Sequence, residues 1–400
     1  MSKRIKDIIW IVLFFQLLTI SGKTQEQLEE IDAKLLTSFA FKQLPGGVIL
    51  LRAQFSDFAD SLNFILDTGR GGISLDSTTI AKFNIIPFAS EQTIIGIGGV
   101  RKVSFVYNEK LKLPRLTVDD LDFHISDYRI LSAVYGEKID GIIGYSVLSR
   151  YIFNLNYDSS TIHIYSNGKI KYPRGGWMYN PLLFRLPVQE ATIIDAQTNK
   201  SKFLFDIGAG LPLMLNKEFI ENNNFLNKKR KLFSHAAIAV GGVVDMQMTV
   251  IRKLQIGPYK FRSVPTLIFN DEFKITSYPY LAGIIGNDIL RRFNIFLNYA
   301  NREFYLTPNS HFNDFFDYAY SGAELYFLDN KIMVSDVAKK SPAALAGLKE
   351  DDIVIGINKY IYLNLNQSKE ALQTIGEKIK MIVYRNGELL RVEFKIKSIL

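Results

Sequence analysis

Two short stretches of the chain each set a carboxylate between an apolar run and a glycine turn: Phe64-Ile65-Leu66-Asp67-Thr68-Gly69 and Phe203-Leu204-Phe205-Asp206-Ile207-Gly208. A glycine lets neighbouring backbone come close and turn its amides toward the carboxylate. If two such turns meet, Asp67 and Asp206 stand side by side. Neighbouring carboxylates resist ionising together, so they hold one proton between them over a wide pH range. The ionised member can take a proton from a water while the protonated member polarises a carbonyl. Amide hydrolysis by that route needs neither a metal nor a covalent intermediate. A single Asp-X-Gly is usually only a turn; duplication after apolar strands lifts this pair above that reading.

Other chemistries are poorly served. The 400 residues contain no cysteine, which excludes disulfides, thiolate metal sites and cysteine nucleophiles. His124, His163, His235 and His311 are scattered and form no His-Glu-X-X-His pattern, so no metal site and no cofactor is expected. Ser146 lacks the second glycine of a nucleophile elbow. The Gly-rich stretches are followed by no helix start, which argues against dinucleotide binding. Asp140 is matched in the second half by Ala282 and is left out of the catalytic set.

The two carboxylates belong to a duplicated unit. Residues 141–157 and 283–299 align without a gap, with Gly141, Ile142, Ile143, Gly144, Leu148, Arg150, Leu155, Asn156 and Tyr157 recurring. Asp67 and Asp206, and the glycine pairs Gly98-Gly99 and Gly241-Gly242, repeat in the same order at nearly the same offset. Short apolar runs bounded by turn residues, such as 48–55, 64–66, 161–165, 203–205 and 304–306, read as strands. Helix is expected only near 77–83, 144–150, 217–222 and 286–292. A linker around 167–180 carries the Pro and Gly of a surface connection.

Asp67-Thr68-Gly69 followed by Asp140-Gly141-Ile142-Ile143-Gly144 resembles the paired signatures of the retropepsin and pepsin superfamily. The resemblance covers residues 40 to 308. It implies a mainly β, bilobal pepsin-like arrangement of two retropepsin-like acid-protease barrels. It also implies catalytic Asp67 and Asp206, and active-site loops formed with Thr68, Gly69, Ile207 and Gly208. Ile142-Ile143-Gly144 and Ile284-Ile285-Gly286 would support those loops from behind. Gly96, Gly98, Gly99, Gly241 and Gly242 would belong to two flap hairpins. Two departures stand out. Ile207 replaces the Thr or Ser whose hydroxyl joins a grip between the loops, and Arg70 replaces a small residue. A guanidinium beside Asp67 would lower its pKa; one turned to solvent would not.

From about Tyr320 the pattern changes and resembles a bacterial PDZ domain: 332–337, then Ser341-Pro342-Ala343-Ala344, then 352–358. Ser341 reads as a helix N-cap with Pro342 in the first turn. A second helix is expected from Lys369, and a hairpin at Asn386-Gly387. The resemblance implies a peptide ligand at Ser321, Gly322, Ala323, Glu324 and Leu325, taken as an added strand. Packing against the lobes is the competing role.

At the other end, Lys3, Arg4 and Lys6 precede an apolar run from Ile8 to Ile20, the layout of a secretory signal too short to span a membrane. The net charge of +8 is dispersed, its densest run being Lys228-Lys229-Arg230-Lys231, which argues against nucleic-acid binding. The expected organisation is a signal peptide at 1–24, an N-terminal segment at 25–44, lobes at 45–166 and 167–308, and a PDZ domain at 320–400. The chain then reads as an exported (periplasmic, cell-surface or secreted) aspartic endopeptidase acting on polypeptides, with a monomer sufficient. The alternative is a degenerate peptide-binding protein that holds chains without cutting them.

Overall fold

A computed structural model describes residues 31–182, 185–239, 242–276, 280–361 and 364–400. The signal-peptide expectation and Gly241 lie outside the described residues. Among the described residues no helix is long and apolar enough to cross a membrane.

The chain is mainly β, and its duplication appears as two closed six-stranded barrels. In the first, Ile49–Phe55 pairs with Leu62–Leu66 and also with Phe105–Leu113, which closes the ring. In the second, Val188–Ile194 closes the ring by pairing with both Thr198–Asp206 and Gly242–Ile256. Alternating apolar residues fill both barrels, with Phe55, Phe64, Phe123 and Phe203 fully buried. The expected short helices are present at Ser77–Lys82, Tyr145–Leu148, Lys217–Asn222 and Asn287–Leu290.

A third sheet joins the lobes. Its order runs Leu35–Ala40, Thr161–Tyr165, Ile152–Asn156, Phe293–Asn298, Glu303–Pro308, Trp177–Tyr179, all antiparallel. The repeated Leu-Asn-Tyr segments end the two middle strands, Ile152–Asn156 and Phe293–Asn298, which pair with each other about a pseudo-two-fold axis. Two expectations change here. Residues 35–43 are built into the fold as strands, so the first lobe begins before residue 45. The stretch read as a plain linker supplies the edge strand Trp177–Tyr179.

Beyond the lobes, five antiparallel strands from Ala323–Leu328 to Glu388–Lys395 form a separate sheet with its own core, including Leu325, Val334, Ile379, Met381 and Val383. The helix Pro342–Leu345 is capped by the Ser341 side chain, which accepts from Ala344 N at 3.1 Å. Asn386 and Gly387, with φ of 51° and 90°, turn the last hairpin. The second helix is Leu365–Glu370 rather than one starting at Lys369, because Asn364 caps it through Asn366 N and Gln367 N.

Candidate active site

Each acidic turn is held the same way. In the first lobe Gly141–Ile143 runs parallel to Leu62–Leu66 and antiparallel to Ile73–Asp76. It thus passes between the strands before and after the Asp67 turn, and Ile143 O accepts from Asp67 N at 2.9 Å. In the second, Leu281–Gly286 passes between Thr198–Asp206 and Leu213–Asn216 with the same polarity. Gly141 and Gly283 recur because a Cβ at these positions would meet Ser74 O at 2.3 Å and Met214 O at 1.8 Å. The supporting role expected of the Ile-Ile-Gly segments therefore matches where they lie.

The two turns meet at the junction of the barrels. A Cβ on Gly69 would lie 2.5 Å from Asp206 Oδ2, and one on Gly208 would lie 2.5 Å from Asp67 Cγ. Each glycine thus makes room for the carboxylate of the other lobe. Asp67 Oδ1 accepts from Gly69 N at 2.7 Å; Asp206 Oδ1 accepts from Gly208 N at 2.8 Å and Ala209 N at 3.2 Å. The carboxyls face one another within hydrogen-bonding reach. Desolvation raises both pKa values. Asp206 goes well above the usual carboxylate range, because the neighbouring Asp67 charge adds to the desolvation. The Arg70 guanidinium restrains the rise at Asp67. The pair as a whole therefore favours holding a proton, with Asp206 the more strongly raised of the two.

Arg70 is turned to its own lobe. Its Nη2 lies 2.9 Å from His124 Nε2, and its guanidinium is 6.0 Å from the Tyr128 ring centroid. Desolvation, and then the Arg70 charge, push His124 down to a pKa of about 3, so the ring is neutral and its Nε2 accepts the bond. The question left by the sequence is answered: Arg70 has a fixed partner and still acts on Asp67.

The grip between the loops is one-sided. Thr68 Oγ1 donates to Phe205 O at 2.8 Å and accepts from Ile207 N at 3.1 Å. Thr68 and Ile207 are both 1% exposed. Ile207 packs in the barrel core, where its side chain has no hydroxyl to return the grip. A second cross-lobe tie, not anticipated from sequence, comes from Asn287. Its Nδ2 donates to Gly47 O at 2.6 Å and its Oδ1 accepts from Tyr157 at 2.9 Å.

The remaining predicted residues fall in three places. Thr93–Gly96 and Gly99–Lys102 form a hairpin carrying Gly96 and Gly99, with Gly98 in its turn. Ile97 at the tip packs against the second-lobe apolar cluster that contains Leu204, Met214 and Ile284. Phe233–Ala239 pairs with Gly242–Ile256 as the second-lobe hairpin, with Gly242 at its end. Ser321 through Leu325 lie far along the chain in the C-terminal sheet, and Glu324 there sits 3.5 Å from His235. Asp140 serves structure: it accepts from Asn63 N at 2.9 Å and Thr79 Oγ1 at 2.7 Å. Among the described residues no group of His, Asp and Glu could hold a metal ion.

Sequence reasoning missed Tyr135, at the end of the helix Arg129–Tyr135. Its hydroxyl is 3.5 Å from where a Cβ on Gly210 would stand, and burial together with both aspartates raises its pKa. The signal available was Gly136, whose left-handed φ of 66° closes that helix.

Residues 53–147 match the family model described as aspartyl protease. The match contains Asp67-Thr68-Gly69 and Asp140 through Gly144, and supports a protease function in general. No curated protein matches the chain.

Proposed function

We propose that the protein is an aspartic endopeptidase in which Asp67 and Asp206 share one proton and activate a water between them. The observation that carries this reading is the reciprocal packing of the two turns, each glycine against the other lobe's carboxylate. Asp67, the less strongly raised of the two with Arg70 beside it, takes a proton from the water; Asp206 donates its own to the scissile carbonyl oxygen. The resulting gem-diol collapses as the amine leaves with a proton, and the dyad returns to its starting state. Because one chain supplies both carboxylates, a monomer suffices. On this reading an extended polypeptide binds at the junction of the lobes, beside hairpin 93–102. With the Lys3–Ile20 segment read as a secretory signal, the substrates are exported polypeptides, and the C-terminal sheet is read as a PDZ module.

Asp67→Asn and Asp206→Asn each test this. Both should abolish cleavage of a denatured protein, with circular dichroism unchanged and chelators without effect on the wild type. Full cleavage by either variant would place the chemistry elsewhere. The one-sided grip favours a second reading, a cleft that binds peptides without cutting. A wild type that binds a statine-containing peptide yet cleaves nothing would establish it.

A further inference from the structure

The C-terminal sheet presents a groove between its edge strand Ala323–Leu328 and the helix Leu365–Glu370. Both walls already touch the chain's own first lobe. The helix Arg129–Tyr135 packs against the edge strand. Lys369 Nζ donates to Val134 O at 2.8 Å, and a Cβ on Gly136 would stand 3.1 Å from Leu365 Cβ. The same sheet is tied to the second lobe. Tyr320 donates to Ser234 O at 2.9 Å, Tyr318 donates to Ser263 O at 2.7 Å, and Glu324 faces His235. Tyr320, Val250 and Ile399 share a small apolar core there. A cavity of about 260 Å³ remains at the meeting point, walled by Ser234, His235, Glu324 and Lys369 among others. Its acidic wall residues, Asp317, Glu324 and Asp336, make it a poor seat for a chain-terminal carboxylate.

We propose that the C-terminal module acts in cis as a clamp. Its groove takes the helix Arg129–Tyr135 as its ligand, and Tyr320 holds the strand Phe233–Ala239. Together these contacts set the Tyr135 hydroxyl in the cleft as a hydrogen-bond donor for the bound polypeptide. The helix is the common element. It touches the module on one side, the second-lobe strand on another, and carries Tyr135 beside Gly210 at its end. Among the described residues the Tyr135 hydroxyl has no protein partner, which leaves its donor free for substrate. Three bodies meet on a helix of seven residues that has no side-chain N-cap. Such a helix is marginal alone and takes its order from what packs on it.

The cleft half of this inference rests on the peptidase reading; the clamp half does not. The test uses the full chain with Lys369→Met, Tyr135→Phe and the double variant. Lys369→Met should raise amide hydrogen exchange across residues 129–136 by about tenfold while the barrel strands stay protected. Tyr135→Phe should leave exchange unchanged and raise KM about three- to tenfold with kcat held, the signature of lost uniform binding. The double variant should be no worse in KM than Tyr135→Phe, because Lys369 acts through Tyr135. If the wild type cuts nothing, the Kd of a statine-containing peptide replaces KM, so failure of catalysis leaves the test intact. An octapeptide ending in leucine should bind only with increased exchange at 129–136. Unchanged exchange in Lys369→Met, unchanged KM or Kd in Tyr135→Phe, or octapeptide binding that leaves the helix protected would each overturn the clamp.

Discussion

Thr68→Val removes one hydroxyl and nearly preserves side-chain shape, so its effect isolates the grip between the active-site loops. Two bonds depend on that hydroxyl, to Phe205 O and from Ile207 N, and both lie in the buried interface. A buried polar group left unpaired costs about 1–3 kcal/mol, so the pair should cost about 2–4 kcal/mol, allowing for partial relaxation. No reciprocal bond takes up the load, because Ile207 has no hydroxyl. Adding Ile207→Thr to this variant supplies a hydroxyl from the opposite loop. By the pseudo-symmetry it should bond Thr/Val68 backbone and Leu66 O, recovering about 1–3 kcal/mol from two bonds. Against this stands the lost packing of a side chain that is 1% exposed, about 1 kcal/mol. The net rescue should be about half the loss. Urea denaturation reads the stability, and kcat/KM on an unfolded protein substrate reads the geometry. Thr68→Val should lower kcat/KM about ten- to a hundredfold, Ile207→Thr should partly restore it, and Ile207→Val should not. A Thr68→Val variant within about 0.5 kcal/mol of wild type, less than one ordinary hydrogen bond contributes, would refute the one-sided grip. So would a double variant that recovers nothing.

The dyad also sets pH behaviour. The raised pKa values of Asp67 and Asp206 mean that the folded state binds more protons than the unfolded chain above about pH 3.9. Stability should therefore fall as pH rises from there through the raised pKa values, and Asp206→Asn should flatten that slope in melts between pH 4 and 7. Arg70→Ala removes the charge that restrains Asp67, so the acidic limb of the pH–rate profile should move to higher pH. The same variant should let His124 titrate at a higher pH, read by NMR; a stationary limb and ring would contradict the electrostatic role. Asn287→Ala should cost about 2–5 kcal/mol by orphaning Gly47 O and the Tyr157 hydroxyl, measured by thermal and urea unfolding.

The sequence by itself determined the pair of acidic turns, the duplicated lobes and the segments that brace the turns. These were legible because a duplication prints the same constraint twice. Gly69 and Gly208 survive where no side chain fits against the opposite carboxylate, and Gly141 and Gly283 where a strand backbone passes too close. The caps at Ser341 and the turn at Asn386-Gly387 were legible for a different reason, since their bonds close within a few residues. What joins distant parts of the chain left no such mark. Leu35–Ala40 finds its partner 125 residues away at Ser38 and His163, and nothing local in the strand says so. The helix Arg129–Tyr135 has β-branched Ile130 and Val134 and no side-chain cap, so its order comes from three surfaces that only the folded chain assembles. Arg70 could equally have faced solvent. The tertiary structure decided otherwise by bringing neutral His124 to 2.9 Å, through the parallel pairing of Ile73–Asp76 with Leu116–Ser126. Contacts fixed by packing between remote strands are settled by the whole fold, because their energy appears only after the barrels close.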